Sequence, residues 1–157
     1  PIFIYYGEEI GMRGARGGSN TDANRRLAML WDDGDTVVDP AGSNYSSRPE
    51  QGVAGQVGDP GSLYNYYKRL IMIRKANPEI ARGDYKAVAI EGSKVGGFYA
   101  TWNGNTVLVL HNTTDSAVTL DLNGCGMSKI SAYIGMGEAS FDGTTLTLDA
   151  QTSVVLR

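Results

Sequence analysis

Pro1-Ile2-Phe3-Ile4-Tyr5-Tyr6-Gly7-Glu8-Glu9-Ile10-Gly11-Met12 opens the sequence. From Ile2 to Tyr6 the run is apolar without alternation. A strand of that kind is buried on both faces, as a central parallel strand is. Gly7 breaks the run and Glu8-Glu9 begin polar ground, so the strand's carboxyl end is expected to open onto a loop. In α/β barrels that end carries the active site. A parallel strand needs neighbours, and the rest of the sequence offers no second strand of this type. The chain is therefore expected to be the tail of a larger protein. A bare apolar edge invites aggregation. Ile2, Phe3, Ile4, Tyr5 and Tyr6 are thus expected to be covered by a missing N-terminal portion, by another copy, or by the flank of a following domain.

The composition is that of a globular domain or two small ones. Hydrophobic residues make up 41% and charged residues 20% of 157, which argues against disorder. A net charge of −3 leaves no basic footprint for nucleic acid. No apolar run approaches the roughly 18 residues of a membrane span. No signal-peptide pattern heads the chain. Cys125 stands alone, so no internal disulfide forms, and His111 and Cys125 cannot make a conventional zinc site. No metal site is expected from Asp32-Asp33-Gly34-Asp35 either. Its acids lack the alternate spacing and terminal glutamate of a calcium loop, and it reads as a polar turn.

Residues 13–61 are interrupted by glycines throughout and read as one long loop, of the kind that is usually functional. Asp59-Pro60-Gly61-Ser62 is a turn ending in an N-cap. Leu63, Tyr66, Tyr67, Leu70, Ile71 and Ile73 then recur at helical spacing until Pro78 stops the helix at about Asn77. The apolar arc is broad enough to need a large surface to lie on.

From about Gly83 the pattern becomes that of short strands every eight to twelve residues, the rhythm of a sandwich. Strands are predicted near 85–91, 97–103, 106–112, 117–122, 129–134, 139–141, 145–148 and 153–156. Asn103-Gly104-Asn105 and Asp142-Gly143 are hairpin turns. Val107–Leu110 is apolar throughout and is expected at the sheet's centre. His111, at that strand's end, reads as a hydrogen-bonded structural histidine, and Cys125 as an incidental thiol. Exposed rings at Tyr85, Tyr99 or Tyr133 could form a sugar platform, which requires at least two on one face.

Three of these segments also match a known family in order and spacing. Tyr5–Met12, with Pro1, Ile4, Tyr6, Glu8 and the glycines in register, resembles the eighth barrel strand of the α-amylase family (glycoside hydrolase family 13). Arg26-Leu27-Ala28-Met29-Leu30-Trp31 resembles a family segment in which Ala28 replaces the usual proline. Ser62–Lys75, Asn77-Pro78 and Gly83-Asp84-Tyr85 resemble the last barrel helix and its exit into a C-terminal domain. The resemblance implies an α+β chain: the remnant of a (β/α)8 barrel (last strand, long loop, last helix) over 1–83, then an antiparallel β-sandwich over 84–157. It implies a larger retaining enzyme that cleaves α-glucan, with no cofactor beyond a calcium ion in some intact members. The family's catalytic carboxylates lie on earlier strands, so no catalytic residue is expected here. The family places Glu8 and Glu9 outside the catalytic pair, and one of them is expected to bind loop backbone. Arg26 is the candidate substrate-binding residue, against a structural ion pair or a solvated charge. Trp31 is expected to be a packed loop anchor rather than a sugar platform. A non-catalytic carbohydrate-binding or interaction module is the alternative. Neither a nucleic-acid nor a membrane partner is expected.

Overall fold

The computed structural model describes residues 2–15, 22–32 and 37–157. The chain forms two compact units, Pro1–Arg69 and Leu70–Arg157.

In the first unit the expected parallel strand is absent. No described residue pairs with Ile2–Tyr6, and their side chains are exposed, Phe3 to 86%. Apolar sequence alone does not make a strand, because the ladder bonds must come from a neighbour's backbone. Gly7 and Gly11, at φ 88° and 77°, bracket a 3-10 turn over Glu8–Ile10 that buries Ile10. The long segment after it is not bare loop. It holds a second 3-10 turn, Ala23–Arg25, and a short helix, α1 (Val53–Gly58). Asp33, Gly34 and Asp35 of the polar turn lie outside the described residues.

Helix α2 (Leu63–Ala76) begins where the cap predicts: the Ser62 hydroxyl accepts the Asn65 amide at 3.2 Å. No α2 residue is buried among the described residues, and Met72 is 60% exposed. Pro78 ends α2 and starts α3 (Pro78–Arg82), since its fixed φ suits a first helical position.

The second unit is an antiparallel sandwich. The strands are β1 (Asp84–Ala89), β2 (Val95–Trp102), β3 (Asn105–Asn112), β4 (Val118–Asp121), β5 (Ile130–Gly135), β6 (Ala139–Phe141), β7 (Thr145–Leu148) and β8 (Thr152–Leu156). One sheet runs β1-β2-β3-β8-β5 and the other β4-β7-β6. β3 is the middle strand of five, and Val107–Leu110 are buried on both faces. Asn103 and Gly104, at φ 49° and 77°, make the β2–β3 turn. Between the sheets lie Val95, Leu108, Leu110, Leu120, Leu122, Leu146, Leu148, Val154 and Leu156. The opposite face of the larger sheet buries Ala100, Val107, Val109 and Val155 against Phe98, Ile73 and Ile80. The sequence pattern changes at residues 83 and 84, whereas the compact unit starts at Leu70, because Ile73 of α2 and Ile80 of α3 pack on the sheet.

Candidate functional site

An open depression of about 480 Å3 in the first unit is lined by Tyr5, Tyr6, Glu8, Met12, Arg13, Gly14, Asp22, Arg25, Arg26 and Leu27. It therefore gathers the end of the opening stretch and the Arg26 segment, which lie twenty residues apart in sequence. The Tyr6 hydroxyl donates to the Leu27 carbonyl at 3.0 Å and ties the two together. The Tyr5 and Tyr6 rings lie 4.7 Å apart at 40°. Partial burial raises the Tyr6 pKa, with the neighbouring Tyr5 adding to the shift. At neutral pH the phenol thus keeps the proton it donates.

Arg26 is exposed and pairs with Asp22 one turn away at 3.2 Å. The pair is open to water and holds the guanidinium only loosely. Arg13 and Arg25 stand beside it without a carboxylate partner among the described residues. Such a surface can stack a ring on tyrosine and donate hydrogen bonds from guanidinium groups.

The two glutamates separate. Glu9 accepts the Gly7 amide at 2.8 Å and serves the local backbone, while Glu8 is exposed on the depression. The turn after Gly7 parts them. No group of three or more His, Cys, Asp or Glu is placed to hold a metal among the described residues.

Polar residues that carry no motif hold this unit together. Buried Asn24 donates to the Asn44 side chain at 2.7 Å and accepts the Asn44 and Tyr45 amides at 2.8 and 3.2 Å. Gln56 donates to the carbonyls of Ile10 and Gln51 at 2.9 and 3.1 Å and accepts the Tyr64 amide at 3.2 Å. Asp39 accepts the Ala28 amide at 2.9 Å and pairs with Arg48. That bond accounts for Ala28: a proline there would have no N–H to give. Trp31 is not packed as an anchor: it is 55% exposed, and its carbonyl accepts the Ala54 amide at 2.8 Å. A glycine-rich loop hides such a network from sequence, because its partners follow no period.

In the second unit, His111 shares a hydrogen bond with Ser153 at 2.8 Å, a pairing set by the β3–β8 register. No acid joins them among the described hydrogen bonds, so the pair is structural. Cys125 accepts the Met127 amide at 3.4 Å and packs on the sandwich core. The alternative of a sugar platform among Tyr85, Tyr99 or Tyr133 is not formed. Tyr99 packs toward the core, and Tyr85 and Tyr133 stand on β1 and β5, the two outer strands. Four strand spacings, about 19 Å, part them.

Residues 95–155 match the family model described as the α-amylase SusG C-terminal domain. A probable α-glucosidase of Rhizobium meliloti is 35% identical over 119 residues, 73% of this chain and 21% of that protein. α-Amylase 3 of Dictyoglomus thermophilum is 28% identical over 142 residues, 84% and 26% of the two chains. The solved structure of Amy13B from Eubacterium rectale superposes with a TM-score of 0.85 at 32% identity, over 97% of this chain and 30% of that one. The chain thus spans between about a fifth and a third of the length of these relatives.

Proposed function

The chain belongs to the α-amylase family of glycoside hydrolases (family 13), and on that premise we propose that it supplies the C-terminal part of an α-glucan-cleaving enzyme. Its depression forms one wall of the glucan site. Tyr5 and Tyr6 offer ring faces to the sugar, and Arg26 donates to its hydroxyls. The observation that carries this reading is the Tyr6–Leu27 bond, which fixes Arg26 beside the carboxyl end of the opening stretch.

Retaining cleavage needs two carboxyl groups about 5 Å apart, one to attack the anomeric carbon and one to protonate the leaving oxygen. Glu9 is committed to the Gly7 amide, which among the described residues leaves Glu8 without a carboxyl partner in the depression other than Asp22, and Asp22 holds Arg26. Both catalytic carboxylates are therefore assigned to residues outside this chain, and the 157-residue polypeptide alone is assigned no hydrolytic activity. What it contributes is shape and hydrogen bonding. Titration with maltotriose, followed by NMR, tests the wall directly. Shifts centred on Tyr5, Tyr6 and Arg26, lost in Arg26→Ala, support it. A spectrum unchanged at those residues at saturating sugar overturns it.

A further inference from the structure

We propose that Met136 is a reversible oxidation site, converted to the sulfoxide by hydrogen peroxide ahead of the other methionines and without loss of the fold. The proposal does not depend on the glucan reading or on the depression.

Met136 stands at the tip of the turn from β5 to β6 and is 87% exposed, more than any other large apolar side chain among the described residues. A thioether left in water contributes no burial to the fold. Its neighbours impose this place. A Cβ on Gly135 would lie 2.3 Å from the Gln151 carbonyl oxygen, and one on Gly137 would lie 2.4 Å from the Asp149 Cβ. The chain on both sides of Met136 therefore runs flush against the connection from β7 to β8. Three amides clasp it there. Met136 N–H donates to the Gln151 carbonyl at 3.2 Å, Gly137 N–H to the Thr152 hydroxyl at 3.1 Å and Glu138 N–H to the Asp149 carboxylate at 2.9 Å. A turn held in this way cannot rotate the sulfur inward to cover.

The chain has five methionines, and the other four are better shielded. Met12, Met29 and Met127 are half-buried. The Met12 sulfur lies only 2.6 Å from where a Gly7 Cβ would be, and Met127 packs on the sandwich core. Met72, on α2, is exposed but less so than Met136.

The chemistry needs only a peroxide. A sulfur lone pair attacks one peroxide oxygen, the O–O bond breaks, and the departing hydroxide takes the proton left on the transferred oxygen and leaves as water. Sulfur is oxidised by two electrons and the peroxide is reduced. Two thiols reverse the step through a methionine sulfoxide reductase, giving the thioether, a disulfide and water. At Met127 the new S=O dipole would enter apolar packing. At Met136 it stays in water, so one oxidising equivalent is taken up at no cost to the core.

Graded hydrogen peroxide on the full 157-residue chain, followed by peptide mapping and mass spectrometry, tests the site. Met136 is expected to oxidise at about the rate of free N-acetylmethionine amide and about fivefold faster than Met12, Met29 or Met127. Chains oxidised at Met136 alone should keep the melting temperature of untreated protein. Methionine sulfoxide reductases of both epimer specificities, with dithiothreitol, should restore the original mass. Met136→Leu should lack the earliest product. A different methionine oxidising first, a lowered melting temperature in the Met136 sulfoxide, a sulfoxide that the reductases leave in place, or an earliest product that persists in Met136→Leu overturns the proposal.

Discussion

Arg157 donates a guanidinium N–H to the carboxylate of Glu79 at 3.1 Å, joining the residue after β8 to helix α3. Glu79 is 2% exposed, and the same arginine nitrogen lies 3.3 Å from the side-chain oxygen of Asn77, which also accepts the Ser131 hydroxyl at 2.7 Å. One polar cluster thus fastens the α2–α3 corner to the sandwich edge.

Removing one partner leaves a buried charge unpaired. Arg157→Ala should cost about 2–3 kcal/mol in urea unfolding, less than a fully enclosed pair would because the arginine is partly open to water. Replacing both residues with leucine should recover most of that loss. A single variant that unfolds like the wild type would show that the pair does not hold the corner.

Ala28 donates to Asp39 where the family pattern has proline. Ala28→Pro removes the donor and leaves a half-buried carboxylate oxygen with one fewer bond, a loss of about 1 kcal/mol. Ala28→Ser, which keeps the N–H, should be neutral. A proline variant with raised melting temperature would mean that the backbone already suits proline and the bond contributes nothing.

Gln56 ties the Ile10 turn to the start of α2. Gln56→Leu strands the buried Ile10 carbonyl, at a cost of about 1–3 kcal/mol, and takes an acceptor from the part-buried Tyr64 amide, at a smaller one. Amide exchange should accelerate over residues 7–12 and 62–65, with β3 and β8 unchanged. Uniform acceleration across the chain would contradict a local role.

His111 supplies a pH dependence. Burial lowers its pKa, so the folded state favours the neutral ring. Above about pH 6.5, the ordinary histidine value, both states are neutral and its contribution is intact. As pH falls below that, the unfolded chain takes up the proton first and stability declines until the folded ring is also protonated. His111 is the only histidine, so His111→Gln should flatten the fall in melting temperature between pH 7.5 and 5.5. An unaltered slope would place the effect elsewhere.

The second unit was largely legible because its signals are local. The unbroken Val107–Leu110 run marked the central strand, Asn103-Gly104 marked its hairpin, and Ser62 marked the cap of α2. The first unit was legible only in part. Ile2–Tyr6 has the residues of a strand but no neighbour to pair with, and pairing is a property of the partner. Helix α3 has no signal apart from Pro78, and a proline that ends one helix can also begin the next. Asn24, Gln56 and Asp39 bind partners far along the chain at no fixed spacing, so nothing in the glycine-rich loop announced them. Tyr85 is visible as a ring, but its edge-on contact with Phe98 across the β1–β2 pair follows from register alone.

The division of labour between this chain and the catalytic carboxylates is tested most directly by an assay of purified 157-residue protein on maltooligosaccharides, with product detection sensitive to slow cleavage. No turnover above buffer is expected for the wild type, alongside sugar-dependent shifts at Tyr6 and Arg26. Turnover that is abolished by Glu8→Gln would overturn that division, because the reacting carboxylate would then lie within this chain.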